Sequence, residues 1–347
     1  MNQAFKEFLA LPEQDRQDIF AAAAEGLDTL PSYVEKDFWV CLALDVLYNG
    51  LPSNHPRLLF KGGTSLSKAY GLIQRFSEDV DFTVFREDPE FQGDRDLASS
   101  ELSGKKRKKL VKDLQQATCN YICNQLKNDL EAVAATLSSD CGVLLDSEDS
   151  DQSTLLFHYP TLFGKDSEAY VQPRVKLEGG GRSALDPHEP HIIKPLIASV
   201  LDGWDFAVPN VVTIRPERTF WDKVMILHGW HCGHRDEDRL PSDRQRLSRH
   251  YYDVAMIYKT EIGKAAIQYA NLREDVRQHT ISFFNRAWMK LEDAIPGSIR
   301  LFPGDGLLKA LQQDYQAMQG MMLGTVPDFQ EILAELATLE EQINQQA

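Results

Sequence analysis

The sequence predicts an α+β fold, in which a mixed front half of strands and helices precedes a mainly helical back half. Short runs of β-forming residues alternate with helical patterns as far as about residue 178. Beyond about residue 210, apolar residues recur at the three- and four-residue spacing of helices. The chain has 347 residues, and 43% of them are hydrophobic, so a sizeable core can form.

The front half divides into elements from its amino terminus onward. Residues 1–49 have helical patterns, and LPSYVEKDFWVCLALDVLYNG combines Pro31 near a helix start with helically spaced apolar residues through Leu47. The stretch LLFKGGTSLSKAYGLIQRFSEDVDFTVF, from Leu58 to Phe85, predicts a short strand, a Gly-Gly turn, a helix and a second strand. Residues 101–138 predict one long helix or two. The segments CGVLLD, STLLFHYP and YVQPRVKLE predict strands.

Turn-forming residues separate this front half from the rest of the chain. The segment GGGRSALDPHEP is rich in them, and the pattern that follows is mostly helical. The segment HCGHRDEDRLPSD predicts a polar loop between two of the later helices. We therefore expect two lobes that flank a cleft, with residues 1–208 as the first lobe and residues 209–347 as the second.

The distribution of charge limits the classes of partner. The net charge is −15, which argues against broad, nonspecific coating of nucleic acid. One local exception is the basic run GKKRKKLVK. It contains Lys105, Lys106, Arg107, Lys108 and Lys109. Such a run is either a solvated helix face or a contact for a nucleic-acid backbone.

Composition also bears on the compartment. No apolar run approaches the roughly 20 residues that span a membrane, and the amino terminus lacks the pattern of a signal peptide. The five cysteines are odd in number and contain no C-x-x-C pair, which favours reduced thiols. We expect a cytoplasmic protein without a membrane partner.

Two acids in the second predicted strand are candidate metal ligands. Asp79 and Asp81 are two residues apart, so their side chains leave the strand on the same face. Two carboxylates on one face repel each other unless a cation lies between them. Mg²⁺ suits this pair, because it binds few carboxylates and takes its other ligands from water and phosphate oxygens, and Mn²⁺ is an alternative. A solvent-facing pair without function is the other interpretation.

The turn before these acids is a candidate phosphate-binding segment. Gly62 and Gly63 can bring backbone N–H groups close to a phosphate, and Thr64, Ser65 and Lys68 add hydroxyl and ammonium donors at a helix start. A turn with no ligand is the alternative. In the order strand, turn, helix and acidic strand, the pattern favours a nucleoside triphosphate (NTP) whose phosphates bridge to the metal.

Four motifs in order carry a family resemblance. They are FKGGTSLSK, RFSEDVDF, RTFWDKVMILH and SRHYYDVAMI, and the resemblance covers roughly residues 30 to 260. The first two resemble the DNA polymerase β type of nucleotidyltransferase, and all four resemble the AbiEii/AbiGii toxin group, which includes the MenT toxins. The resemblance implies a polymerase-β-like lobe with a small mixed sheet, and transfer of a nucleoside monophosphate to an RNA acceptor, most plausibly the tRNA 3′ end. It also implies a cognate antitoxin.

The resemblance extends the predicted site beyond the first lobe. It implies that Lys223 in FWDKV stabilises charge on the phosphates and that Asp253 in HYYDV completes the active centre. Asp253 would either orient Lys223 or act on the acceptor hydroxyl, unless it only pairs with Arg249 on its own helix. Glu178 is a candidate third carboxylate if its strand pairs with the acidic strand.

Two other functions remain compatible with these residues. One is a protein or small-molecule nucleotidyltransferase with the same site, which the acidic net charge favours. The other is a nucleotide-binding regulator that performs no transfer. A zinc site in LHGWHCGH is disfavoured, because its spacing matches no standard set of ligands.

Overall fold

The computed structural model describes residues 1–88, 91, 103–164, 172–239 and 246–346. Within them the chain forms two compact units. The first comprises the described residues of Met1–Tyr70, Phe76–Asp96 and Lys108–Ile214. The second comprises those of Gly71–Arg75, Leu97–Arg107 and Arg215–Ala347. No helix among the described residues is both long and apolar enough to cross a membrane.

The first unit is built on a seven-stranded mixed sheet. Its strands are β1 (Leu58–Lys61), β2 (Asp79–Val84), β3 (Gly142–Leu145), β4 (Thr154–His158), β5 (Arg174–Glu178), β6 (His188–Ile193) and β7 (Val208–Ile214). They lie in the order β3-β4-β5-β2-β1-β7-β6. The β2–β5 and β1–β7 pairs are parallel and the other neighbours are antiparallel.

Among the described residues, six α-helices accompany the sheet. They are α1 (Gln3–Leu9), α2 (Glu13–Gly26), α3 (Pro31–Asp45), α4 (Gly62–Lys68), α5 (Gly104–Asn120) and α6 (Lys127–Leu137), with a π-helical turn between the last two (Tyr121–Leu126). Helix α3 packs on the sheet against β2, β5 and β7. Its Phe38 contacts Phe5, Phe8, Phe20 and Phe206 with ring centroids 4.8 to 6.0 Å apart. This aromatic cluster, fully or nearly fully buried, anchors the amino-terminal helices to α3.

The second unit is helical. Its helices are α7 (Pro216–Glu237), α8 (Ser248–Tyr258), α9 (Glu261–Gln268), α10 (Ala270–Phe284), α11 (Asp305–Met318) and α12 (Phe329–Asn344). Pro216 occupies the first turn of α7, where its missing N–H has no intrahelical partner to lose. Helix α8 packs against α7, α9, α11 and α12, and its Tyr251 and Tyr252 are core residues. The segment Gly71–Arg75 also belongs to this unit, and the N–H of Leu323 donates a hydrogen bond to the carbonyl of Gln74.

The predicted α+β class is confirmed, and two local predictions are wrong. The turn-rich segment and the residues after it contain β6 and β7, which pair with each other along the sheet. Pro190 and the histidines obscured the alternation of β6, which is an edge strand and tolerates proline. The predicted polar loop begins inside α7, because that helix continues to Glu237 and ends at Asp238, in the left-handed conformation.

Candidate active site

The acids of β2 lie on one face of the strand, as alternation requires. Val80 and Phe82 are fully buried on the opposite face, whereas Asp79 and Asp81 are only partly buried. Strand β5 runs parallel to β2, with Glu178 opposite Asp81 and Lys176 opposite Asp79. The structure therefore brings the candidate third carboxylate beside the predicted pair.

The Gly-Gly turn makes room for one of these acids. Gly62 begins α4 directly after β1 and has a φ of +80°, in the left-handed region that favours glycine. A β-carbon at this position would lie 2.2 Å from Oδ2 of Asp81. The antiparallel pairing of β1 with β2 sets this approach, since Lys61 is the register partner of Asp81. The Lys61 ammonium is 3.6 Å from Oδ1 of the same carboxylate.

The carboxylates perturb one another. Burial raises the pKa of Asp79 from 3.8 to about 7, and the negative charges of Glu78, Glu178 and Asp81 add to the rise. Lys36 opposes it only in part. A site that disfavours its own ionised carboxylate gains most from a bound cation, which offsets the repulsion.

The donor set fits a hard divalent cation that shares its coordination with a substrate. Asp79 and Asp81 supply two carboxylates on one face. No group of three or more His, Cys, Asp or Glu side chains in the described part of the chain could hold a metal ion. Such a pair suits Mg²⁺ or Mn²⁺, which complete their shell with water and phosphate oxygens.

The hydroxyl groups that follow the glycines form hydrogen bonds within the protein. Thr64 is fully buried, its hydroxyl donates to the carbonyl of Asp79, and it lies 2.7 Å from the Ser77 hydroxyl. The Ser65 hydroxyl donates to the Gly62 carbonyl at 2.8 Å. These bonds fix α4 against the start of β2. Because both hydroxyls already donate to carbonyl groups of the protein, their predicted contacts with phosphate stay predictions.

Helix α3 carries three consecutive buried charges that the sequence analysis did not single out. Asp37 pairs with Lys68, which is almost fully buried, and also accepts a bond from Leu196 N–H at 2.6 Å. A direct phosphate contact by Lys68 would compete with this buried ion pair. We therefore assign Lys68 first to holding the end of α4, and its phosphate contact stays a prediction.

The other two charges of α3 fix further segments. The Lys36 ammonium lies 3.4 Å from Glu78 and donates to the carbonyl of Arg174, the first residue of β5. Lys36 thus contacts the residue that precedes β2 and the first residue of β5. Glu35 accepts bonds from Leu162 N–H at 2.8 Å and from the Thr161 hydroxyl at 2.6 Å. The sequence signal was available, because three adjacent charges directly precede the apolar run at residues 38–44 of the same helix.

The second unit contains a separate buried ionic cluster. Arg75 binds Asp253 with two N–H groups, at 2.8 Å to Oδ1 and 2.9 Å to Oδ2. Lys223 lies 3.0 Å from the same Oδ2 and 3.3 Å from Nδ1 of His250. Asp253 is thus in contact with both Lys223 and Arg75. Its predicted role of orienting Lys223 stays a prediction.

Two cations share one carboxylate in this cluster. Burial alone would raise the pKa of Asp253, yet Arg75 and Lys223 together hold it well below its usual range. Burial, Lys223 and Arg249 lower the pKa of His250 well below its ordinary value, so the imidazole is neutral. Burial lowers the pKa of Lys223, and the charge of Asp253 opposes that shift. With all three groups ionised, the set Arg75, Lys223 and Asp253 has a net charge of +1, and this favours an anion beside it.

The remaining predicted positions lie on α5 and α7. Lys105, Lys106, Lys108 and Lys109 are exposed in the first turns of α5, and Arg107 is partly buried. In LHGWHCGH, both ring nitrogens of His228 bond to backbone groups, those of Lys290 and Arg300. That histidine fixes a later segment of the unit.

Comparison with known proteins identifies the family to which the chain belongs. A search of the curated proteins found no match. Among solved structures, the chain is similar to MenT4, a nucleotidyltransferase toxin from Mycobacterium tuberculosis H37Rv, with 17% identity over 94% of this chain and 97% of that one and a TM-score of 0.43. The family model described as "Nucleotidyl transferase AbiEii toxin, Type IV TA system" matches residues 45–335, a range that includes the acids of β2 and the cluster around Lys223. The chain therefore belongs to the AbiEii family of nucleotidyltransferase toxins of type IV toxin–antitoxin systems.

Proposed function

We propose that the protein transfers a nucleoside monophosphate from an NTP to a hydroxyl of an RNA acceptor, most plausibly the tRNA 3′ end, in a Mg²⁺-dependent reaction. The observation that carries this proposal is a pair of complementary charge clusters. Asp79, Asp81 and Glu178 line one face of β2 and β5, where a cation relieves their repulsion. The positive charges of Lys223 and Arg75 together exceed the negative charge of Asp253, so an anion is favoured beside these three side chains. A metal-bound triphosphate supplies both charges.

Each residue then has a defined task. Asp79 and Asp81 would hold the divalent ion, which would supply Lewis-acid polarisation of the phosphates. The backbone N–H groups at Gly62 and Gly63 bind the triphosphate, with Thr64, Ser65 and Lys68 fixing that segment. Lys223 stabilises negative charge on the phosphates, and Asp253 orients it. Three residues separate Arg75 from Asp79, so the two clusters are close together in sequence.

The chemical step is an in-line displacement. The acceptor oxygen forms a bond to the α-phosphorus, the bond to the bridging oxygen breaks, and pyrophosphate leaves. The hydroxyl proton passes to a carboxylate, for which Glu178 is the candidate because it lies opposite Asp81. Pyrophosphate leaves with the negative charge that Lys223 stabilises.

The acceptor and the setting complete the proposal. The four exposed lysines of α5 are suited to the phosphate backbone of RNA, since such contacts position a nucleic acid without reading its sequence. A cognate antitoxin counteracts the toxin, and both act in the cytoplasm. The net charge of −15 favours one alternative, in which a protein or small molecule is the acceptor.

One experiment tests these assignments together. The purified protein is incubated with total tRNA, Mg²⁺ and each of the four NTPs carrying a radiolabel in the α-phosphate, and the products are separated on a denaturing gel. We expect label on tRNA with the wild type and with Asp140→Asn, an exposed acid, and none with Asp81→Asn. Label on protein alone would favour the alternative acceptor. NTP binding without release of pyrophosphate would identify a regulator and overturn the proposal.

A further inference from the structure

The acceptors around Lys223 define the direction of its ammonium group. An ammonium has three N–H donors and no acceptor. One donor faces Oδ2 of Asp253 at 3.0 Å, and a second faces Nδ1 of His250 at 3.3 Å. His250 and Asp253 are three residues apart on α8, so one face of that helix presents both acceptors to Lys223 on α7.

The imidazole of His250 can accept a hydrogen bond from Lys223 in only one neutral tautomer. Because the lysine ammonium cannot accept a hydrogen bond, Nδ1 of His250 must be the acceptor, and the imidazole proton lies on Nε2. Burial together with the charges of Lys223 and Arg249 keeps the ring neutral. Trp230 packs edge-on against the ring, with centroids 5.2 Å apart and an interplanar angle of 88°, and this contact fixes the orientation of the imidazole.

We propose that His250 is a positioning residue for the anion-binding lysine: with Asp253 it holds two N–H groups of Lys223 and directs the third toward the phosphates of the NTP. Asp253 alone does not fix this direction, because the lysine side chain can still swing about a single N–H···O contact by changing its own torsions. A second acceptor at a different angle removes that freedom. This proposal rests on the proposed function and names a determinant of triphosphate binding within it.

Amide side chains can separate this role from simple packing. The amide group of asparagine can place an oxygen near the position of the histidine Nδ1, whereas glutamine places its amide near Nε2. His250→Asn therefore keeps the acceptor that Lys223 needs, and His250→Gln fills similar space without it. His231→Asn is a control on α7, because His231 bonds to the carbonyl of Phe302 rather than to the cluster.

The test is calorimetric titration of the full-length protein with inorganic triphosphate and Mg²⁺, together with thermal unfolding of every variant. We expect about tenfold weaker binding for His250→Ala and His250→Gln, the scale of one hydrogen bond to a charged group, and near wild-type binding for His250→Asn and His231→Asn. Equal binding by His250→Gln and the wild type would overturn the proposal, as would equally weak binding by His250→Asn and His250→Ala.

A further variant distinguishes the failure of this proposal from failure of the proposed function. Lys223→Met should weaken triphosphate binding more than any change at His250. If Lys223→Met binds triphosphate as the wild type does, then Lys223 does not bind the anion, and both proposals fail at that point. If Lys223→Met weakens binding and His250→Ala does not, only the positioning role of His250 is wrong.

Discussion

Gly62 and Asp81 are in such close contact that no other residue type fits at position 62 without displacing the carboxylate. A β-carbon there would lie 2.2 Å from Oδ2 of Asp81, and φ is +80°. Two separate requirements therefore select glycine: the left-handed backbone conformation and the absence of a side chain. Gly62 links the turn to the acidic strand, because its small size lets the carboxylate occupy that space.

Gly62→Ala is expected to lower nucleotide transfer by more than about 10²-fold, since it displaces a proposed metal ligand. Gly203→Ala is the matched control, because Gly203 has a φ of +83° and a β-carbon added there would meet no atom within 4 Å. Both changes should destabilise the fold by about 1–2 kcal/mol through backbone strain alone. Urea denaturation and the transfer assay check this. Equal activity of the two variants would show that the contact with Asp81 does not matter for catalysis.

The metal-free protein should lose stability as the pH rises from about 4 to about 7. Burial and the neighbouring acids raise the pKa of Asp79 from 3.8 to about 7. Within that window the folded chain keeps a proton at Asp79 that the unfolded chain has released, so the free energy of unfolding falls with increasing pH. Urea denaturation in EDTA across this range measures the slope. Asp79→Asn should flatten the slope, added Mg²⁺ should reduce it, and Asp140→Asn should leave it unchanged.

Lys68→Met is expected to destabilise the fold by about 3–5 kcal/mol, because it leaves the Asp37 carboxylate buried without its cation. The double variant Lys68→Met/Asp37→Leu removes both charges and should recover most of that loss. If Lys68 only holds α4, NTP affinity measured by titration calorimetry in the double variant should stay within about twofold of the wild type. A large decrease in affinity with stability recovered would instead support a direct phosphate contact by Lys68.

Arg75→Met is expected to destabilise the second unit by about 3–5 kcal/mol, since Asp253 is fully buried and loses a two-point partner. The control is Arg235→Met, because Arg235 binds Asp236 with a side chain that is 53% exposed, and its loss should cost less than about 1 kcal/mol. Chemical denaturation at neutral pH compares the two variants. Similar losses would mean that the buried pair contributes no more than a surface one.

Replacement of Lys105, Lys106, Lys108 and Lys109 by glutamate should weaken RNA binding and reduce its dependence on salt. Each phosphate contact contributes about 0.7–0.9 to the slope of log affinity against log salt concentration. If all four lysines contact RNA, the magnitude of the slope should therefore fall by about 2.8 to 3.6. Binding of labelled tRNA over a range of salt concentrations measures it. An unchanged slope would identify this part of α5 as a solvated face.

Local patterns were sufficient for part of the site. Strand alternation predicts that Asp79 and Asp81 share a face, and the three strands CGVLLD, STLLFHYP and YVQPRVKLE are present as β3, β4 and β5. The pairing of β5 with β2, on which the candidacy of Glu178 depended, is long-range and could be stated only as a condition. Alternation fixes where side chains point along one strand and does not select the neighbouring strand.

The missed features are contacts between distant residues. Arg75 lies close to the acids of β2 in sequence, and yet its carboxylate partner is Asp253, 178 positions away. The partner of Lys68 is on α3, where the charged triplet was obscured by the apolar pattern around it. Ion pairs of this kind depend on tertiary packing, which places charges together that no window of sequence contains.

The triplet Glu35, Lys36 and Asp37 also limits how the catalytic segment could be transferred to another protein. Adjacent side chains on a helix point about 100° apart, so the three charges hold segments in three different directions around α3. Rotation or sliding of that helix would break all three sets of bonds at once, whereas an apolar helix can shift slightly at little cost. A graft of residues 58–84 alone onto a new scaffold would carry the glycines and acids and would lack Lys36 and Asp37. Any transplant or minimal version of this enzyme therefore has to include α3 as part of the functional unit.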